Sequence, residues 1–126
     1  MITGAHFLLF SKNAEADRAF FRDVLSLPAV ELGGGWLIFA MPPTEMGIHP
    51  GDGNFVMKQE GDAMLGVTFY LMCDDLDAQM RELAAKGATF GELTQAQWGK
   101  STTIRLPSGG CIGIYQPAHP TAIGKG

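Results

Sequence analysis

The sequence predicts an α+β chain made of two copies of a β-α-β-β-β unit, each a four-stranded mixed sheet flanked by one helix. Three observations predict it. The order strand, helix and three strands recurs in the two halves. Met46-Gly47-Ile48-His49 before Pro50 matches Ile112-Gly113-Ile114-Tyr115 before Gln116 and Pro117. Each half also opens with an apolar run that leads into an acid-bearing helix. The first unit is expected over about residues 2–52, a linker over 53–65, the second unit over 66–117, and a loose tail over 118–126, all within one domain.

In the first half, Ala5 to Phe10 is a short apolar run that reads as a strand. Asn13 offers a cap. Ala16, Ala19, Phe20, Phe21 and Val24 then recur at helical spacing, with Asp17, Arg18, Arg22 and Asp23 on the other face. Pro28 ends that helix near Leu25, because a proline disfavours helical geometry in the residue before it. Gly33 to Gly35 make a turn, Trp36 to Met41 read as a strand with Trp36 in the core, and Glu45 to His49 read as another. The stretch from Gly51 to Gly66 is polar, glycine-containing and weakly periodic, which marks the linker.

The second half repeats this order. Val67 to Met72 form a strand, and Asp74 and Asp75 cap a helix with Leu76, Met80, Leu83 and Ala84 on one face. Gly87 stops it. Thr89 and Phe90 begin a strand, Ser101 to Leu106 form another, Pro107 to Gly110 make a tight turn, and Cys111 to Tyr115 are the last strand.

Composition narrows the function. A hydrophobic fraction of 46 % beside 17 % charged residues excludes a disordered chain. The net charge is −4 and the nine basic residues are scattered, so no basic stripe offers itself to nucleic acid. No apolar run reaches the ~18 residues of a membrane span, and the first residues lack the basic-then-apolar pattern of a secretory signal. Cys73 and Cys111 sit apart in apolar runs and read as reduced core residues. The expected location is the cytoplasm. The Asp74-Asp75-Asp77 cluster lacks calcium-loop spacing and reads as helix capping.

Three stretches together resemble the glyoxalase/bleomycin-resistance/extradiol dioxygenase superfamily, also called vicinal oxygen chelate proteins. Ala19-Phe20-Phe21-Arg22-Asp23-Val24-Leu25 is similar to the Phe-Tyr-x-x-x-Leu-Gly helix end of that family. Cys73-Asp74-Asp75-Leu76-Asp77-Ala78 is similar to its aspartate-rich helix start, and Leu106-Pro107-Ser108-Gly109-Gly110 to its Asp-Pro-Asp-Gly hairpin, with Leu106 where the first aspartate usually stands. The resemblance spans Ile2 to about Pro117 and implies sheets curled around a cleft, and a homodimer in which arms can be exchanged.

Metal-dependent members of the superfamily place His, Glu, His and Glu in that cleft. Counting from the three stretches puts the first, third and fourth of these positions on His6, Thr68 and Gly113, and the internal match of Gly47 with Gly113 puts the second on Gly47. Neither glycine has a donor, and a threonine hydroxyl is a poor substitute for imidazole. His49, two residues beyond Gly47 on the same strand face, is the available stand-in. Without two carboxylates the cleft is roomier and more apolar, which suits an aromatic or aliphatic molecule.

The resemblance therefore implies a small-molecule-binding protein without the usual catalytic metal, with no cofactor expected. Its candidate ligand-binding residues are His6, His49, Thr68, Tyr70, Trp98 and Tyr115. Trp98 stacks on a flat ligand at the cleft mouth or packs under a loop; His6 lines the cleft or makes an ordinary strand hydrogen bond; His49 lies at an exposed strand end or in the cleft. His119 falls in the tail and reads as solvated. The alternative is a divalent-metal lyase or dioxygenase, with His6 and His49 as ligands. The expected partners are a small apolar or aromatic ligand and a second copy of the chain, with no nucleic acid and no membrane.

Overall fold

Asn13 sets the start of helix α1, Ala14–Asp23: its side-chain oxygen accepts the Ala16 amide at 3.2 Å. The helix ends before the position expected from Pro28, because the amides of Val24 and Leu25 both turn back onto the Phe20 carbonyl and Ser26 adopts φ +59°. In this computed structural model, residues 1–51, 55–59 and 62–124 are described, the side chains of 55–59 and 62 apart.

After α1 come β1, Ala29–Glu31, and β2, Leu37–Phe39, paired antiparallel through the Gly33–Gly35 turn. All three glycines there have positive φ, which is why the turn is built of glycine. The segment read as linker carries two further strands, β3, Phe55–Gln59, and β4, Asp62–Leu65, paired antiparallel. Apolar residues flank a polar Gln59-Glu60-Gly61-Asp62 centre, a hairpin pattern that the glycines of the stretch obscure. Residues 60 and 61 at its tip lie outside the described residues.

The second half forms a complete β-α-β-β-β unit. It comprises β5, Tyr70–Met72; α2, Leu76–Ala85; β6, Thr94–Ala96; β7, Gly99–Arg105; and β8, Cys111–Pro117. The sheet order is β5-β8-β7-β6, with β5 parallel to β8 and the other pairs antiparallel. Asp75 caps α2 through the Ala78 amide, and Gly87 with φ +97° closes it, as its sequence predicts. Thr89 and Phe90 contribute a single bridge, Phe90 to Ile104, and the strand on that edge is β6.

One face of this sheet packs on α2. Leu76, Leu83, Ala88, Ile104, Leu106, Ile112 and Ile114 form the core there, joined by Phe21 from α1. The opposite face, carrying Tyr70, Met72, Gly113, Tyr115 and Thr103, is not covered by a helix.

The first unit departs from its expected pairing. Ala5 to Phe10 and Glu45 to His49 form no strand among the described residues, and Ile48 and Phe10 are exposed. Apolar alternation specifies which face a strand would show; a strand also needs a hydrogen-bonding edge, and neither segment has one among the described residues. Phe7 instead rests against Phe69, ring centroids 5.2 Å apart. Trp36 is not core. It is 49 % exposed, with the Arg18 guanidinium 4.5 Å above its ring.

Asp17 likewise leaves its expected solvent face and is 6 % exposed. Its carboxylate accepts from the Ser11 hydroxyl at 2.6 Å, the Ser108 hydroxyl at 2.6 Å and the Ser108 amide at 3.0 Å. Helix α1 is thereby fastened to the β7–β8 turn, whose Gly109 has φ +97°. The tail is also held, since the Ala118 amide donates to the Trp98 carbonyl at 2.8 Å.

Candidate functional site

Four rings converge on the open face of the β5-β8-β7-β6 sheet. Tyr70 comes from β5, Tyr115 from β8, Trp98 from the β6–β7 turn and His119 from the tail. Tyr115 is the hub. Tyr70 meets it edge-on at 5.7 Å and 88°, Trp98 at 5.8 Å and 76°, and His119 stacks on it at 6.2 Å and 30°. Strand register accounts for this: Tyr70 lies opposite Gly113, and Met72 opposite Tyr115, so the two tyrosines share a face of adjacent strands.

Tyr70 occupies the space above Gly113. A β-carbon on Gly113 would fall within the Tyr70 ring, so glycine is what lets the ring lie flat across β8. Tyr70 and Trp98 keep much of their surface in water, at 45 % and 44 % exposed. The rings form an accessible aromatic wall rather than a sealed core.

A carboxylate completes the cluster. The Tyr115 hydroxyl donates to Glu45 Oε2 at 3.5 Å and lies 3.4 Å from His119 Nε2. Glu45 Oε1 accepts the Ala122 amide at 2.7 Å, which draws the tail over this corner. Burial raises the Tyr115 pKa above its ordinary value, and the negative charge of Glu45 and its hydrogen bond push in the same direction. Beside this corner a shallow depression of about 470 Å³ opens between Met72, Asp74, Gln116, Pro117, Thr121 and Ile123.

Three of the six residues picked from the sequence are therefore together: Tyr70, Trp98 and Tyr115. His6, His49 and Thr68 are not among them. His6 is exposed in a segment that forms no strand, and Thr68 is exposed just before β5 begins. His49 is also exposed, with its Nδ1 2.7 Å from the Pro50 carbonyl. All three assignments relied on strands that the chain does not extend that far. Sequence reasoning missed Glu45 and misread His119. Glu45 has no local signal. His119, between Pro117 and Pro120, sits where the chain must turn back, and that is the one hint the sequence offered.

No family model and no curated protein matches the sequence. Solved structures do. The chain is similar to TnmS3, an antibiotic-binding protein from Streptomyces sp. CB03234, at 19 % identity and TM-score 0.58, covering 94 % of this chain and 100 % of that one. It is similar to lactoylglutathione lyase from Agrobacterium tumefaciens at 18 % identity and TM-score 0.57, covering 86 % and 88 %. A glyoxalase/bleomycin-resistance protein from Streptomyces sp. CB03234 aligns at 20 % identity and TM-score 0.50, covering 84 % and 93 %. The fold is that of the glyoxalase/bleomycin-resistance proteins.

In a glyoxalase-type fold the question of a metal follows, and among the described residues the four positions that the resemblance assigns do not form a ligand set. Of the four positions that the resemblance assigns, Gly47 and Gly113 have no donor and Gly113 lies beneath Tyr70. His6 and Thr68 are exposed and separate from the aromatic cluster. Among the described residues no group of three or more His, Cys, Asp or Glu side chains is placed to hold an ion. Among them, too, no helix is long and apolar enough to cross a membrane.

Proposed function

We propose that this protein binds a small aromatic or apolar molecule on the Tyr70–Trp98–Tyr115 wall and does so without a metal. The convergence of half-exposed rings on an uncovered sheet face carries the reading. Side chains of this size are normally buried for stability, and here they are spread on a face that no helix covers. The similarity in fold to an antibiotic-binding protein supports the same class of function.

A second copy of the chain is part of the proposal. The apolar, unpaired segments 5–10 and 46–49 would gain hydrogen-bonding edges from a partner's strands, which would complete the first unit. Two free cysteines suit a reducing compartment such as the cytoplasm.

Tryptophan fluorescence tests the binding reading. Across a panel of planar aromatic compounds and antibiotics, at least one is expected to produce a saturable change that survives Trp36→Phe and vanishes in Trp98→Phe. A flat response across the panel overturns it. Light scattering of the purified chain tests the second copy: a monomer at micromolar concentration overturns that part.

A further inference from the structure

The chemical class of the ligand can be narrowed from the corner that the rings share with Glu45, an argument that rests on the binding reading above. We infer that the Tyr115–Glu45 corner is a subsite for an organic cation, and that His119 is its built-in occupant.

Three observations lead there. Aromatic faces carry negative electrostatic potential, and here Tyr70 and Trp98 each lie within 6 Å of Tyr115, centroid to centroid. A single acidic side chain, Glu45, sits at their edge and is only 20 % exposed. Its bonded neighbours are the Tyr115 hydroxyl and the Ala122 amide, which leaves lone pairs on both oxygens for a further donor. No lysine or arginine pairs with Glu45 among the described residues.

The third observation is what occupies the corner. The His119 imidazole is a planar nitrogen heterocycle that can hydrogen-bond through its ring nitrogens. It stacks on Tyr115 with Nε2 4.0 Å from Glu45 Oε2. The chain thus supplies a planar nitrogen ring that stacks on Tyr115 beside the carboxylate, the shape that the corner accepts. The His119 ring is 36 % exposed and meets the Tyr115 hydroxyl only at 3.4 Å, so a ligand ammonium can displace it. A carboxylate ligand would meet Glu45 and be rejected.

The test compares three probes that share a ring and differ in charge: benzylammonium, benzyl alcohol and benzoate at neutral pH. Binding is read from the Trp98 indole N–H proton resonance in Trp36→Phe protein. Benzylammonium is expected to bind about fivefold tighter than benzyl alcohol, as a cation–ring contact beside one partly buried carboxylate implies. Benzoate is expected to bind weakest. In Glu45→Gln, which keeps an acceptor for the Ala122 amide, the ammonium-to-alcohol ratio should fall toward one. In His119→Ala the affinity for benzylammonium should rise. Equal binding of the ammonium and the alcohol, a ratio that survives Glu45→Gln, or weaker ammonium binding in His119→Ala overturns the inference while leaving the aromatic wall as a binding site. If none of the three probes shifts the resonance at millimolar concentration, the binding reading and this inference fall together.

Discussion

The ring of Tyr70 lies across Gly113, its register partner on the neighbouring parallel strand, with no room for a β-carbon beneath it. This pair does two things. It covers a bare stretch of β8 backbone, so that Gly113 is buried although it sits on the open face. It also sets the tilt at which Tyr70 meets Tyr115, and hence the shape of the aromatic wall.

A methyl group at position 113 should therefore act through Tyr70. Gly113→Ala is expected to cost about 1–3 kcal/mol, because the ring must leave its place. In a Tyr70→Ala background the same change should cost much less, a coupling of roughly 1 kcal/mol or more in a double-mutant cycle. Urea unfolding of the four proteins measures it, and additive costs would show that the ring does not depend on the glycine.

Asp17 should behave as a structural clamp despite its charge. Asp17→Ala leaves the Ser108 amide and two hydroxyls without their acceptor, and about 2–4 kcal/mol of stability should be lost. The urea midpoint should fall with little change in slope. Asp17→Asn, which keeps one acceptor oxygen, should lose less.

The two thiols should separate in a labelling experiment. Burial raises the pKa of Cys73, and the charge of Asp74 adds to it; the thiol also points at the Tyr115 carbonyl, 3.6 Å away. Cys111 is exposed at the start of β8. Iodoacetamide on the folded protein should alkylate Cys111 first, with Cys73 following slowly, as mass spectrometry of peptides would report. Equal rates would mean that the β5 end opens readily.

Tyr115 should ionise above its ordinary value of 10.0. A group whose folded pKa is raised adds stability that is fully present below the unfolded value and is lost as pH climbs through the folded one. Stability should accordingly decline above about pH 10, and less so in Tyr115→Phe. Ultraviolet titration should also show Glu45→Gln moving the Tyr115 transition downward, since the carboxylate is one of its causes. An unmoved transition would separate Glu45 from the ring cluster.

Much of the fold is legible in the residues. Asn13 and Asp75 mark helix starts, Gly87 marks a stop, and Pro107 to Gly110 mark the β7–β8 turn, each by a local backbone requirement that the side chain or its absence satisfies. The match between the Gly47 and Gly113 stretches is equally visible. Of the ring cluster, Tyr70, Trp98 and Tyr115 stand among the residues picked from the sequence through strand faces and the family resemblance, whereas Glu45 was not picked and His119 was read as solvated.

What sequence alone determined, then, are features that rest on neighbours along the chain: periodicity, caps and turns. Tertiary structure decided the rest. Asp17 became a buried acceptor only because the β7–β8 turn arrives beside α1. Glu45 and His119, separated by most of the chain, meet at Tyr115 because the tail folds back onto the sheet. Segments 5–10 and 45–49 carry strand-like residues yet form no strand among the described residues, since a strand exists only where another backbone offers its hydrogen bonds. Gly113 shows both levels at once: the sequence removes its side chain, and the fold fills the space with Tyr70.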